Sequence, residues 1–95
     1  MKKNATKHYR VFFSGMVQGV GFRYTTQAIA DKYAIYGWVA NRGNGTVELD
    51  IEGASYNLDN FLKDLKEEFK TYIKDVQIEE LPIGEKYNDF QIRFY

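Results

Sequence analysis

Apolar and polar positions alternate strictly from Thr46 to Glu52, with Val47, Leu49 and Ile51 on one side and Glu48, Asp50 and Glu52 on the other. A period of two predicts a strand with one buried face, and it assigns the three carboxylates to a solvated face. Gly53 is the expected end of that strand. Upstream, Tyr9, Val11, Phe12 and Phe13 make residues 8–17 a first strand, closed by a loop at 15–22. The spacing Phe22, Thr26, Ile29, Tyr33, with Ala30 beside it, predicts a helix from Phe22 to about Tyr33. A second strand follows from Ile35 to Asn41 through Tyr36, Gly37, Trp38 and Val39. Arg42, Gly43, Asn44 and Gly45 then form a tight hairpin, because Asn and Gly tolerate positive φ. Leu58, Phe61, Leu62, Leu65 and Phe69 mark one face of a second amphipathic helix, with Ser55 as its expected N-cap. Val76 and Ile78 lie in a fourth strand, ended by Pro82 and Gly84. Phe90, Ile92 and Phe94 alternate in a last short strand reaching the C-terminus.

The order is therefore β-α-β-β-α-β with an added C-terminal strand. Each helix has one apolar face, so both pack on one face of a mostly antiparallel sheet. The predicted fold class is α+β, a ferredoxin-like two-layer sandwich. Residues 1–95 read as one domain, with 1–7 a loosely ordered N-terminal segment.

Charge narrows the possible partners. Thirteen basic and thirteen acidic side chains cancel, so no global field favours nucleic acid or an anionic membrane, and any anion site is local. No run approaches the 18 or more apolar residues of a membrane span, and Met1-Lys2-Lys3 is followed by no apolar signal-peptide core. Cysteine is absent, which removes thiolate nucleophiles and fits a reducing, cytoplasmic setting. No spaced His, Asp or Glu cluster resembles a metal site, and none is expected. The only histidine, His8, reads as an edge or surface group at the start of the first strand. The eight Tyr and seven Phe read mostly as core and half-buried sheet residues.

The loop from Gly15 to Arg23 carries the candidate chemistry. Gly15, Gly19 and Gly21 keep the strand-to-helix turn free of side chains, so backbone N–H groups converge on one point. The unsatisfied amides of a helix N-terminus favour an anion there as well. Arg23 falls in the first helical turn, where the helix dipole opposes a cation by about 0.3–1 kcal/mol. A bound phosphate would offset that, since a guanidinium grips two phosphate oxygens at once. The same spacing also suits a turn that only solves a geometric problem, with Arg23 solvated.

No Asp, Glu or His lies in this loop to act as general acid or base. Expelling an alkoxide from a phosphate ester ordinarily needs an acid, because alcohols ionise near pKa 15–16, whereas carboxylic acids ionise near 4. The gap of about eleven units is on the order of 15 kcal/mol in leaving-group basicity. Amides, one Arg and a positioned water therefore suit a carboxylic–phosphoric mixed anhydride. Asn41 has the donor and acceptor to hold that water, although Asn at a strand end is also an ordinary turn residue.

These residues together resemble the acylphosphatase family. The resemblance rests on Gly15-Met16-Val17-Gln18-Gly19-Val20-Gly21-Phe22-Arg23, on Gly37-Trp38-Val39-Ala40-Asn41-Arg42 continuing through Gly45-Thr46-Val47-Glu48, and on the closing Tyr87–Tyr95 stretch. It spans about residues 8–95. It implies metal-independent hydrolysis of acyl phosphates to carboxylate and phosphate, with no cofactor and no covalent phosphoenzyme. Arg23 and the backbone amides of Gln18, Gly19, Val20, Gly21 and Phe22 would bind phosphate, and Asn41 would orient the attacking water. The implied partner is a small-molecule acyl phosphate, and the chain is expected to act as a monomer without nucleic acid or membrane.

Two places depart from the family's usual pattern, and a third is one where the family varies. Ala34 stands where many relatives carry the glycine ending the first helix. Glu68-Phe69-Lys70 replaces a frequent Gly-Pro, so the second helix is free to run longer. Gly21 is variable in the family. The alternative to an enzyme is a non-catalytic acylphosphatase-like domain that binds carbamoyl phosphate or another anion. RNA binding, which this topology also serves, is disfavoured because the aromatic ribonucleoprotein motif is missing.

Overall fold

The alternating segment becomes the middle strand of a five-stranded sheet. The computed structural model describes residues 5–84 and 87–94. The elements run β1 (Thr6–Gly15), α1 (Phe22–Tyr33), β2 (Tyr36–Asn41), β3 (Val47–Ala54), α2 (Ser55–Glu68), β4 (Ile73–Leu81) and β5 (Phe90–Arg93). Of the N-terminal segment expected to be loose, residues 1–4 lie outside the described residues, as does Tyr95 of the closing stretch. The sheet order is β4-β1-β3-β2-β5. β1 pairs antiparallel with β3 and β4, β2 antiparallel with β3, and only β2 and β5 run parallel. The α1 crossover carries β2 one place away from β1, and the β2–β3 hairpin folds β3 into the gap. This is the expected α+β ferredoxin-like sandwich with its added strand.

The core lies between the sheet and the helices. Val11, Phe13, Val39, Leu49 and Ile51 meet Phe22, Ala30, Leu58, Phe61 and Leu65, all buried. Each large side chain of this kind contributes about 1.5–3 kcal/mol of burial. Phe69 is buried with them one residue past the end of α2, so the apolar face outlasts the helix. Several expected boundaries shift. β1 begins and ends two residues earlier than the expected 8–17, and β3 continues through Gly53 to Ala54. Ser55 is not the N-cap of α2. Ala54 holds that position, and the Ser55 N–H donates to the Ala5 carbonyl at 2.8 Å. β5 stops at Arg93, leaving Phe94 outside the strand.

Glu48, Asp50 and Glu52 are not solvated: they are 7, 3 and 6 % exposed. The helices cover the other face of the sheet, but neighbouring strands and the chain after β4 shelter this one. Asp50 accepts from His8 Nε2 at 2.6 Å, Arg10 Nη2 at 3.0 Å and the Tyr87 hydroxyl at 2.7 Å. Glu48 pairs with Arg10 Nε at 3.5 Å and Arg42 Nη1 at 3.3 Å. His8 is thus no free edge group. Its strand lies between β3 and β4, and its Nδ1 stands 3.0 Å from the Pro82 carbonyl oxygen. Both ring nitrogens face acceptors, so the imidazolium satisfies both.

Burial alone would lower the His8 pKa, but the bond to Pro82, the bond to Asp50 and the nearby Asp50 and Glu52 charges outweigh it, raising it above 6.5. Burial would raise the Asp50 pKa, but hydrogen bonds from His8, Tyr87 and Arg10 outweigh it, lowering it below 3.8. Burial, then the bond to Asp50, push the Tyr87 hydroxyl up to about 12. The raised His8 pKa contributes stability that is full below 6.5 and is lost as pH rises through the folded-state value. The lowered Asp50 pKa contributes stability present above 3.8 and lost as pH falls through its folded-state value. Urea midpoints of wild type and His8→Gln should therefore differ most on the acid side of pH 6.5 and converge above it. A difference that stays constant with pH would contradict the charged His8 pair.

Ala34 ends α1 in the left-handed region, at φ 55° and ψ 46°. Its N–H faces the Asp31 carbonyl at 3.5 Å, and Ile35 N–H donates to the Ala30 carbonyl at 2.9 Å. This is the Schellman geometry that favours glycine. The side chain is exposed, so its removal loses no packing. Ala34→Gly should stabilise the protein by about 0.5–1 kcal/mol, after the greater freedom of glycine in the unfolded chain is counted. A melting temperature higher by a few degrees is the expected readout.

Candidate active site

β1 leaves the sheet at Gly15, where φ is +118° and a Cβ would collide with the Tyr72 carbonyl oxygen. The Met16 N–H donates to that same carbonyl at 2.9 Å, which fixes the direction of the loop. Two apolar anchors then bracket the turn. Val17 is fully buried, and the Phe22 ring packs 5.1 Å from Phe13 and 4.7 Å from Phe69. Between them the backbone is exposed at Gly19 and Gly21, both at φ +80°, and Gly21 caps α1 in the left-handed region. Among the described residues, the N–H groups of Gln18, Gly19, Val20 and Gly21 donate to no protein acceptor. They are available to an anion.

The Gln18 side chain has a role that spacing did not reveal. Its Nε2 donates to the Arg42 carbonyl at 2.8 Å and to the Thr46 carbonyl at 2.9 Å. The same hairpin is closed by Arg42 N–H to the Thr46 carbonyl at 2.8 Å and by Asn44 Oδ1, which accepts from Thr46. One carboxamide therefore clamps the glycine loop to the β2–β3 turn. Nothing local in the sequence signals this, because the donors and acceptors lie 24 and 28 residues apart.

Asn41, the last residue of β2, is brought to the loop by this clamp. Its Oδ1 is buried and, among the described residues, has no hydrogen-bond partner. A buried acceptor left unpaired costs about 1–3 kcal/mol, so a donor is wanted at that point. Arg23, the second residue of α1, is half-buried and, among the described residues, meets no carboxylate. Its guanidinium lies 4.9 Å from the centre of the Phe94 ring. Arg42 differs, since its guanidinium is engaged by Glu48.

Val17, Gly19, Gly21, Phe22, Arg23, Tyr24 and Asn41 line one cavity of about 240 Å³. At roughly 30 Å³ per water, that is room for a phosphoryl group and several waters. Arg23 and Asn41, 18 positions apart in sequence, share its wall. Val17 and Tyr24 were not among the expected residues. Gln18 and Val20 do not line the cavity; Gln18 reaches the hairpin, and Val20 packs against the core. The lining holds no carboxylate or imidazole; its ionisable groups are the Arg23 guanidinium and the Tyr24 phenol. The wall offers cationic and N–H stabilisation for an anion and one acceptor for a water.

Known proteins share this sequence pattern and this fold. The sequence model of the family described as Acylphosphatase matches residues 9–92. The chain is 40% identical over 90 residues to the acylphosphatase of Ligilactobacillus salivarius, covering 93% of this chain and 99% of that one. It is 41% identical over 87 residues to that of Bacillus licheniformis, covering 90% and 97%. The crystal structure of acylphosphatase from Bacillus subtilis superposes with a TM-score of 0.84 at 36% identity, over 92% of this chain and 98% of that one. A cradle of amides and one arginine, a buried asparagine acceptor and likeness along nearly the whole length lead to one conclusion: this chain belongs to the acylphosphatase family.

Proposed function

We propose that this acylphosphatase splits the carboxyl–phosphate bond of small acyl phosphates with Arg23, the loop amides and Asn41 as its working groups. Arg23 and the N–H groups from Gln18 to Phe22 hold the phosphoryl oxygens. Asn41 Oδ1 accepts a hydrogen bond from a water and aims its oxygen at phosphorus. The water's oxygen bonds to phosphorus as the bond to the acyl oxygen breaks, and carboxylate leaves with that electron pair. The water's proton passes to a phosphate oxygen, giving carboxylate and inorganic phosphate. The carboxylate needs no proton to leave, which matches a wall without a carboxylic acid or imidazole to supply one. Positioning and preorganised positive charge supply the rate.

The observation that carries this reading is that Asn41 Oδ1, without a hydrogen-bond partner among the described residues, shares a cavity wall with the Arg23 guanidinium, which meets no carboxylate among them. Arg23, the loop amides and Asn41 suffice within one chain for the reaction, so the proposed agent is a monomer acting on a dissolved substrate, and a chain without cysteine suits the reducing cytoplasm. Release of benzoate from benzoyl phosphate tests the reading. Turnover should be rapid and unchanged by EDTA. Activity that EDTA abolishes would overturn the metal-free chemistry.

A further inference from the structure

The glycine loop does little to hold its own shape. Its N–H groups from Gln18 to Gly21 donate to no protein acceptor among the described residues. Val20 packs against the core, but a Cβ at Gly19 or Gly21 would meet nothing within 4 Å. The β2–β3 turn is as open, since a Cβ at Gly43 or Gly45 would also meet nothing within that distance. The two segments nevertheless carry groups that must act together. The loop offers amides to the anion, and Asn41 directly precedes the turn. A misplacement of about 1 Å between such groups costs roughly 10²-fold in rate.

The half-buried Gln18 side chain ties the two segments together. Within the turn, the Arg42 carbonyl accepts the Gly45 N–H at 3.1 Å, and the Thr46 carbonyl accepts the Arg42 N–H at 2.8 Å. Each carbonyl gives its second lone pair to Gln18 Nε2, at 2.8 and 2.9 Å. Both hydrogens of that nitrogen are thus committed to the rung that closes the turn immediately after Asn41. A glutamate would aim oxygen at the same two carbonyls, and an asparagine is one carbon shorter. We propose that the Gln18 side chain is a positioning residue for hydrolysis: by locking the loop to the hairpin it sets Asn41 and its water against the phosphoryl group. This rests on the roles given above to Arg23 and Asn41. The Gln18 backbone N–H serves the anion and its side chain serves the line of attack, so a side-chain substitution separates the two.

Benzoyl phosphate kinetics and calorimetric titration with inorganic phosphate, both on the full chain, test this. Gln18→Met keeps the length of the side chain and loses both donors; Gln18→Ala serves should it fail to fold. The expected result is a kcat lower by ~10–100-fold, with phosphate affinity weakened several-fold at most because Arg23 and the α1 N-terminus are untouched. Gln18→Glu should lose at least as much rate at neutral pH, whereas a space-filling role would leave Gln18→Met active. Combined with Asn41→Ala, Gln18→Met should cost scarcely more than Asn41→Ala alone, since the clamp then has nothing to aim. Losses that multiply in the double variant, or a phosphate affinity that falls as far as kcat, would overturn the proposal. Full activity in Asn41→Ala overturns the water-holding reading and this inference with it. A slow Asn41→Ala beside Gln18 variants of unchanged kcat overturns this inference alone.

Discussion

Arg23→Ala should remove hydrolysis and phosphate affinity together. Among the described residues Arg23 is the one cation in the cavity wall, and its charge is opposed by the α1 dipole, so a bound phosphoryl group relieves the helix as well as binding it. A charge-assisted contact of this kind is worth about 1.5–3 kcal/mol in binding. The transition state spreads more charge over the phosphoryl oxygens, and removing an arginine aimed at it costs roughly 10³-fold or more in rate. The fold should survive, because the described side-chain contact of Arg23 is the packing over Phe94, worth about 0.5–1 kcal/mol at an exposed site. Calorimetric titration with inorganic phosphate and benzoyl phosphate kinetics check both halves. Arg23→Lys sharpens the result: it keeps the charge and loses the planar fork, so binding should recover more than rate. A variant that keeps phosphate affinity while losing turnover would assign Arg23 to the water rather than to the anion.

Asn41→Ala should separate what Arg23→Ala joins. Phosphate affinity should stay within about threefold, because the amides and Arg23 remain, while kcat falls by roughly 10²–10³ for want of an oriented water. Stability gives the sharper signature. Oδ1 is buried without a partner, so truncation removes an unsatisfied acceptor, and the melting temperature should hold or rise. A turn-forming asparagine would show the reverse, with stability lost and rate kept. Thermal melts and single-turnover rates on the same preparation distinguish the two. Full activity in Asn41→Ala would remove this side chain from the mechanism.

The glycine loop and the α1 start were legible because their signals are local. Three glycines, a helix-period face beginning at Phe22 and a cation in the first turn all lie within a few residues of each other. Asn41 was nameable as a candidate, but its cavity depends on how β2 lands beside β3 and on the Gln18 clamp, which spans the whole first helix and second strand. The carboxylates of β3 went the other way. Alternation placed them correctly on the face opposite Val47, Leu49 and Ile51, yet that face proved buried.

By its sequence alone, then, this protein declared its element order, its apolar faces and a glycine-rich loop leading into a helix with a cation in its first turn, because period and turn chemistry depend on near neighbours and residue type. Tertiary structure decided which side chains answer one another: His8, Arg10 and Tyr87 around Asp50, Gln18 across to the hairpin, Arg23 and Asn41 in one wall. Those pairings join positions from 18 to 42 residues apart, and they exist only once strand register and the crossover have set which strands are adjacent. A two-residue period says that a side chain points away from the core; only the partners brought to that face determine whether it meets water.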